Sequence, residues 1–545
     1  DVTSKSERKR KTSQFYKLKS QINPQFTKSR NSAETKKFKE RLEKQRMNKN
    51  YEALENRFNR MDALGGAISM LHWDMSAMMP KGGTASRTDQ LAVLKTLHHS
   101  IITDAEVPEL LDAAEQDDHL DAWQQANLKE MRRQWIHAAA VDAELVEAMS
   151  RACSQCESVW RQAREDADFK AVLPNLEEVL NLTRQVAKSK SEKLGVSPYD
   201  ALLDQYEPEG REAEIDVVFK DLKAFLPDFL ENVLSSQAKG PEILPVKGVF
   251  PRSKQKELGE KFMKALGFDF DHGRLDESLH PFCGGTHDDV RLTTRYDEQE
   301  FTSALMGVLH ETGHAMYEQG LPSKWRGQPV GSARGMSIHE SQSLLIEMQA
   351  CRSPEFLQFA APMIRNAYSA KGPEWEEENL ARLYTKVEKG FIRVDADEVT
   401  YPAHVILRFD LERAAISGDL KMADLPVAWN EGLEKLLGIT PPSDREGCLQ
   451  DIHWYDGAWG YFPTYTLGAM TAAQLFSCAN KDKPEILPSI AKGDFNPLMD
   501  WLRTNVHSKG SSLSSKELIT EATGESLNPE YFKNHLRNRY LKNDS

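Results

Sequence analysis

The stretch FTSALMGVLHETGHAMYEQG, residues 301–320, carries two histidines four positions apart, with a glutamate directly after the first. Positions i and i+4 lie on one face of an α-helix, so the rings of His310 and His314 can converge on a single ion. Glu311 is turned by about 100° from His310, which places its carboxylate beside such an ion. Apolar residues at helical spacing and a closing Gly320 indicate that the whole stretch is one helix.

This motif predicts a divalent metal site in which Glu311 works as a general base. A metal lowers the pKa of a bound water, and a neighbouring carboxylate can then take its proton. The motif is short, and the chance of a random match in a chain of 545 residues is not negligible. The alternative is a pair of partly buried histidines that are hydrogen-bonded to nearby carbonyl groups. A third ligand decides between the two.

A candidate third ligand follows in GMSIHESQSLLIEMQA, residues 335–350, which reads as a second helical stretch. Glu340 lies about two dozen residues after His314. Projecting toward the ion, it would complete a His2Glu set with an open position for water, the pattern of catalytic zinc sites. The alternative is local, because Ser337 followed by Glu340 fits a capping box at the helix N-terminus.

The composition is that of a globular chain whose charge is unevenly distributed. Forty per cent of the residues are apolar, and no apolar run is long enough to span a bilayer, so we expect no membrane partner. Residues 1–50 hold 16 Lys/Arg against five acidic residues, whereas the remainder holds 54 basic and 78 acidic residues. This acidic body argues against nucleic acid as a partner.

The N-terminal segment, residues 1–46, is basic, rich in Ser, Thr and Lys, and lacks a sustained apolar period, which predicts a disordered extension. Six cysteines form no disulfide framework and indicate a reducing compartment. We therefore expect a cytoplasmic location, with organellar targeting by the extension as the alternative. Cys153 and Cys156 are interpreted as two small residues on a helix face.

Helical periodicity dominates from Tyr51 onward, which predicts one large, mainly helical domain over residues 47–545. Two segments have the β-branched alternation of short strands: DDVRLTTRY at residues 288–296 and GFIRVDADEV at residues 390–399. We expect a small sheet near the middle of the domain, adjacent to the helix that carries the two histidines.

Six motifs together make the chain resemble the carboxypeptidase Taq family of metallocarboxypeptidases. They occur in the family's order, and the resemblance extends from LHWDMSAMMPKGG at residues 71–83 to residue 541. The motifs are HPF at 280–282, DVRLT at 289–293, HETGH at 310–314, HESQSL at 339–344, IRVDAD at 392–397 and GCLQDIHW at 447–454.

The resemblance implies a two-lobed helical zinc-peptidase fold around a deep groove, similar to neurolysin and angiotensin-converting enzyme, with the small sheet near the active site. It implies a homodimer that removes single residues from the free C-termini of peptides, with broad side-chain preference and little activity beside proline. The rival interpretation is a helical zinc endopeptidase or dipeptidase that uses the same His2Glu site.

Residue by residue, the resemblance assigns His310, His314 and Glu340 as metal ligands and Glu311 as the general base. One divalent ion per subunit is expected. Zn²⁺ is the default for a His2Glu set, and Co²⁺ or Mn²⁺ can occupy such a site.

The resemblance also assigns Arg393 to the terminal carboxylate of the substrate, and His453 and Tyr465 to hydrogen bonds with the substrate or the developing oxyanion. A guanidinium suits a carboxylate because it offers a bidentate fork. The alternative for Arg393 is a structural ion pair with Asp395 or Asp397, which follow it at strand-like spacing. In the sheet, Asp289 and Arg291 are expected to pair with each other.

Overall fold

The computed structural model describes residues 32–541, with side chains from residue 49 onward, and it is mainly helical with one small sheet, as predicted. Residues 1–31 of the predicted N-terminal extension lie outside this range, and residues 32–46 belong to the first helix. None of the helices in the described part of the chain is both long and apolar enough to cross a bilayer.

The helices are α1 Ser32–Ala77, α2 Thr84–Ile102, α3 Glu106–Ala114, α4 Ala122–Ala139, α5 Ala143–Asp166, α6 Phe169–Leu194, α7 Pro198–Leu203, α8 Glu212–Lys239, α9 Arg252–Leu266, α10 Thr302–Gly320, α11 Met336–Leu344, α12 Pro354–Tyr368, α13 Glu377–Tyr384, α14 Tyr401–Ser417, α15 Leu425–Leu437, α16 Pro463–Asp482, α17 Ile486–Ile490, α18 Asn496–Asn505, α19 Ser515–Thr523 and α20 Pro529–Tyr540. The strands are β1 Gly273–Glu277, β2 Phe282–Thr286 and β3 Asp289–Thr294.

The three strands form a sheet of order β1-β3-β2 that lies directly before α10 in the chain. Strand β3 pairs in parallel with β1 and antiparallel with β2. The prediction of a strand within residues 288–296 is therefore confirmed, and so is the ion pair in it, since Arg291 contacts Asp289 through two bonds of 2.6 and 2.8 Å.

The predicted strand at residues 390–399 is wrong, because this segment forms a short 3₁₀ turn at Arg393–Asp395. The carboxylate of Asp397 accepts backbone N–H bonds from Glu388, Val399 and Thr400. An aspartate that satisfies nearby backbone donors in this way favours a turn over a ladder of strand hydrogen bonds.

Helix α1 is held against the sheet by an aromatic contact and a hydrogen bond. Trp73 is buried, with the guanidinium groups of Arg274 and Arg291 at 5.6 and 4.4 Å from its ring centre. One turn earlier on this helix, the Ser69 hydroxyl donates to the carbonyl of Gly285 in β2 at 2.8 Å. These contacts place α1 against the sheet, with Trp73 beside arginines of β1 and β3 and Ser69 beside β2.

The apolar core of the described residues divides into two large clusters and one smaller one. The first cluster draws on α5 to α8, α14, α15 and α20, and the second on α9 to α13 with the sheet and α17 to α19. Helix α16 contributes to both clusters, since Met470 packs in the first and Leu475 in the second. The expected C-x-x-C pair, Cys153 and Cys156, is buried on α5 with free thiols, as predicted.

Two glycines allow the helices at the centre of the molecule to approach unusually closely. A Cβ atom at Gly313 of α10 would lie 2.6 Å from the Cα of Ser343 in α11. A Cβ atom at Gly468 of α16 would lie 2.8 Å from the Cβ of Glu340, also in α11. Because real Cβ atoms do not approach this closely, α11 can be clamped between α10 and α16 only while both positions remain glycine.

We expect Gly313→Ala to lower the free energy of unfolding by about 1–3 kcal/mol, because the added methyl group forces α10 away from α11. The matched control is Gly307→Ala on the same helix, where the nearest atom to an added Cβ is 3.9 Å away. That change should be neutral or stabilise by up to about 1 kcal/mol through helix propensity. Urea unfolding of both variants measures the difference, and equal shifts would refute the close-approach explanation.

Candidate metal centre and substrate site

The structure brings the three predicted ligands together. One nitrogen from each of His310 and His314 and one carboxylate oxygen of Glu340 all lie within 4.8 Å of one another. The Nε2 atoms of the two histidines are 3.9 and 3.4 Å from Oε2 of Glu340. No other group of three such side chains in the described residues meets the same criterion.

Helix α11 begins earlier than the capping-box alternative requires. Glu340 is therefore not part of a helix cap, and its side chain can reach the histidines. The helix is preceded by Gly335, and no side chain caps it. Ser337 instead donates its backbone N–H to Glu207 at 3.1 Å, so the capping-box interpretation of Glu340 is wrong. The carboxylate is left free to project from α11 toward α10, and Gly468 leaves the space in which its stem lies.

The protonation states of these side chains fit a divalent cation. Burial lowers the pKa of His314 to about 4, which leaves its ring neutral and able to donate a lone pair. Burial would raise the pKa of Glu340, but the facing His310 and His314 outweigh it and lower that pKa to about 2. Two imidazoles and an ionised carboxylate form the His2Glu donor set that suits Zn²⁺.

The carboxylates around His310 create a site that favours positive charge. Burial opposes protonation of His310, yet the charges of Glu340, Glu347 and Glu311 outweigh it and raise the pKa of the ring to about 10. The same surplus of negative charge attracts a divalent cation at this position.

A second carboxylate that the sequence analysis did not single out orients His310. Glu347 accepts from Nδ1 of His310 at 3.0 Å and is itself held by Arg352 at 2.6 Å. It lies in a π-helical turn, Leu345–Ala350, that continues α11. Carboxylates that hold a ligating histidine in this way fix its ring and tautomer. The signal was present in the sequence, because Glu347 follows Glu340 by two helical turns and so shares its face.

His314 is oriented through a longer chain. Its Nδ1 lies 2.6 Å from Nδ1 of His339, whose Nε2 is 2.8 Å from Glu318. Glu318 follows His314 by one turn of α10, and both residues face the same side. Glu318 and His339 also line a cavity of about 370 Å³ between α1 and β2. The two residues that orient His314 therefore border this cavity.

Glu311 lies beside the ligands without forming part of their set. Its side chain is 7% exposed, and burial, with the neighbouring carboxylates, raises its pKa to about 7 against the opposing charge of His310. No hydrogen bond from the described residues occupies its carboxylate. A buried, unpartnered carboxylate next to a metal is suited to hold and deprotonate a water molecule.

Arg393 is buried, but neither Asp395 nor Asp397 is its partner, so the ion-pair alternative is wrong as stated. Its Nη2 donates to Asp451 at 2.8 Å, and its Nη1 donates to the hydroxyl of Tyr401 at 2.8 Å. The 3₁₀ turn directs the side chain inward, whereas Asp397 is engaged by the local backbone.

The three predicted substrate-binding residues lie together. The Arg393 guanidinium is 5.0 Å from the ring centre of Tyr465, whose hydroxyl lies 3.5 Å from Nε2 of His453. Burial lowers the pKa of His453 to about 4, so its ring is neutral, and its Nδ1 has no partner among the described residues. Burial raises the pKa of the Tyr465 phenol. Tyr465 precedes Gly468 on α16 by three residues, and Gly468 packs against Glu340, so the phenol lies on the side of the metal ligands.

The comparisons with known proteins agree with the predicted family. The model of the carboxypeptidase Taq (M32) metallopeptidase family matches residues 53–540. Thermostable carboxypeptidase 1 of Thermus thermophilus is 38% identical over 485 residues, which cover 86% of this chain and 94% of the relative. Carboxypeptidase 1 of Bacillus subtilis is 36% identical over 476 residues, covering 87% and 94% respectively.

Solved structures show the same relationship. Metallocarboxypeptidase 1 of Trypanosoma cruzi superposes with a TM-score of 0.89 at 41% identity, covering 90% of this chain and 99% of that one. An M32 carboxypeptidase from Deinococcus radiodurans superposes with a TM-score of 0.86 at 35% identity, covering 91% and 99%. The chain therefore belongs to the carboxypeptidase Taq (M32) family of metallopeptidases and is a metallocarboxypeptidase, a peptide hydrolase.

Proposed function

We propose that this enzyme removes single residues from the free C-termini of peptides, with His310, His314 and Glu340 as metal ligands and Glu311 as general base. The observation that carries the proposal is the buried guanidinium of Arg393, which lies 5.0 Å from the ring centre of Tyr465. Tyr465 precedes Gly468 on α16 by three residues, and Gly468 is the glycine that packs against Glu340 of the His2Glu centre. A hydrolytic centre alone would cleave peptides at many positions. A fixed cation beside it selects the peptide bond that lies next to a terminal carboxylate.

In the proposed mechanism His310, His314 and Glu340 would hold a divalent metal, by default Zn²⁺ with Co²⁺ or Mn²⁺ as alternatives, which would supply Lewis-acid activation of water and of the scissile carbonyl. Glu311 takes a proton from the attacking water and passes it to the leaving amine. Its pKa of about 7 suits both steps, since the group can accept and release a proton near neutrality. Glu347 keeps the ring of His310 in place throughout.

The substrate residues have separate tasks in this proposal. Arg393 holds the terminal carboxylate, and its buried position keeps water from competing for the same donors. Tyr465 and His453 offer hydrogen bonds to the carbonyl oxygen as negative charge develops on it.

The remaining specificity is also part of the proposal. The substrates are peptides with a free C-terminus and varied side chains, with proline near the scissile bond disfavoured. The homodimer, the cytoplasmic location and the lack of nucleic-acid and membrane partners stay predictions. The rival function, a helical zinc endopeptidase or dipeptidase, differs in one measurable property, because it does not require the terminal carboxylate.

Glu311→Gln should leave metal content near that of the wild type while lowering kcat by about 100- to 10,000-fold, since the amide cannot accept the proton. Metal is measured on the purified variant by elemental analysis, and kcat on an N-blocked dipeptide. A metal-replete variant that retains activity would contradict the assignment of Glu311 as the base.

Glu340→Ala should lose metal and activity together, because a ligand is removed. Glu347→Gln is the matched control on the same helix, and we expect it to keep the metal but bind it about 10- to 100-fold more weakly, as is typical when a supporting carboxylate is lost. Metal affinity is measured by competition with a chelator. If Glu340→Ala keeps stoichiometric metal, another side chain must be the third ligand.

Arg393→Ala should lower kcat/KM on free-carboxylate peptides by about 30- to 5000-fold, which corresponds to roughly 2–5 kcal/mol for a charge-assisted contact. The same peptides with an amidated C-terminus, already poor substrates, should change little. Arg393→Lys keeps the positive charge but lacks the bidentate guanidinium, so its kcat/KM should lie between those of the wild type and Arg393→Ala. Equal losses on both peptide types, with a lower Tm, would show that Arg393 only stabilises the fold.

A further inference from the structure

Asp451 lies between two buried arginines. Its Oδ1 accepts from Nη2 of Arg393 at 2.8 Å, and its Oδ2 accepts from Nε of Arg408 at 2.7 Å. The side chain of Arg408 is fully buried, and that of Arg393 is 6% exposed. The three side chains come from separate parts of the chain: a 3₁₀ turn, the middle of α14, and the loop before α16.

The contacts of Arg393 leave part of its guanidinium available. A guanidinium has five N–H donors, of which Asp451 takes those on Nε and one on Nη2. Tyr401 accepts one on Nη1. Among the described residues nothing takes the remaining two donors, one on each terminal nitrogen. Such a pair of donors is what a bidentate carboxylate requires.

The charges in this cluster do not cancel. Two guanidinium groups face one carboxylate, and the neighbouring histidines add nothing, because burial lowers the pKa of His404 to about 3 and that of His453 to about 4. The phenol of Tyr401 stays neutral, since burial raises its pKa. Among Arg393, Asp451 and Arg408, one unit of positive charge is therefore in excess, and little water is present to screen it.

Arg408 cannot reach a substrate itself. Its Nε and Nη2 lie 2.7 and 2.5 Å from Oδ2 of Asp451, and its Nη1 donates to the carbonyl of His404 at 2.7 Å. Its guanidinium also lies 4.4 Å from the ring centre of Trp429 and 5.3 Å from that of Phe462, which Arg393 approaches at 5.5 Å. Arg408 can therefore affect binding only without touching the peptide, through its contact with Asp451 and through its charge.

We propose that Asp451 and Arg408 are positioning residues for the carboxylate clamp. Asp451 holds Arg393 in one orientation, and Arg408 takes up the charge of Asp451 so that Arg393 keeps its own for the substrate. The proposal rests on the proposed role of Arg393 and adds two residues that do not touch the peptide.

The test compares an N-blocked dipeptide with its C-terminal amide on four variants. In Arg408→Met, Asp451 neutralises Arg393, so KM on the free-carboxylate peptide should rise about 10- to 100-fold while kcat changes less than about threefold. Inhibition by N-acetylphenylalanine should weaken by a similar factor, which confirms that binding has changed. Cleavage of the amide should be unaffected. Arg408→Lys retains the charge, and its KM should stay within about threefold of wild type.

The double variant Arg408→Met/Asp451→Asn separates charge from packing. It restores an excess of one positive charge, so its KM should be at least about threefold lower than that of Arg408→Met. The fold-increase of its KM over wild type should also be smaller than the product of the fold-increases in the two single variants. Two residues that only pack would give losses that multiply. Asp451→Asn alone should raise KM, since Arg393 loses the partner that orients it.

Failure of this inference differs from failure of the proposed function. If the wild-type enzyme cleaves the free and amidated peptides equally, the proposed clamp at Arg393 is wrong. If the wild type prefers the free carboxylate and a folded Arg408→Met keeps that preference, the role of Arg408 is wrong. Should the Met variant not fold, the Lys and double variants decide. Loss of the preference in Arg408→Lys, or in the double variant with its one positive charge in excess, overturns the inference.

Discussion

The close approach of α10, α11 and α16 is the constraint on which the rest of the structure depends. A metal ligand on α11 can complete a site on α10 only if the two helices nearly touch, and Gly313 removes the Cβ that would keep them apart. On the other side, Gly468 allows α16 to press against Glu340 and hold its stem. Because α16 also packs into both large core clusters, the close-packed apolar core holds the metal ligands in fixed positions.

The centre contains one region of excess negative charge and one of excess positive charge, an arrangement that suits the proposed substrate. At the metal, buried carboxylates exceed the positive charges that face them, and this surplus raises the pKa of His310. At the clamp, guanidinium groups outnumber carboxylates. Burial and the neighbouring charge of Arg393 lower the pKa of Arg408 to about 10. One region therefore favours a cation and the other an anion. In the function we propose, a peptide with a free C-terminus binds between these two regions of opposite sign.

The sequence was sufficient for what depends on local spacing and insufficient for what depends on distant contacts. The helix that bears His310 and His314 follows from apolar periodicity and a fixed four-residue interval, and the structure has it at the predicted bounds. The strand predicted around Arg393 failed because alternation does not reveal that Asp397 will bind the backbone instead. Asp451 was missed as the partner of Arg393 because 58 residues separate them, whereas two aspartates stood much nearer in sequence.

The choice of a distant aspartate over a near one has a physical reason. Asp395 and Asp397 belong to the same short segment as Arg393. An ion pair formed within that segment would neutralise the guanidinium without fixing it to the rest of the fold. Asp451 is anchored from a different part of the fold and is shared with Arg408, so it can orient Arg393 without cancelling its charge. A buried cation that is left partly unbalanced is costly in the free enzyme. In the function we propose, the terminal carboxylate of the peptide supplies the missing charge, so binding relieves an imbalance that an amide would leave in place.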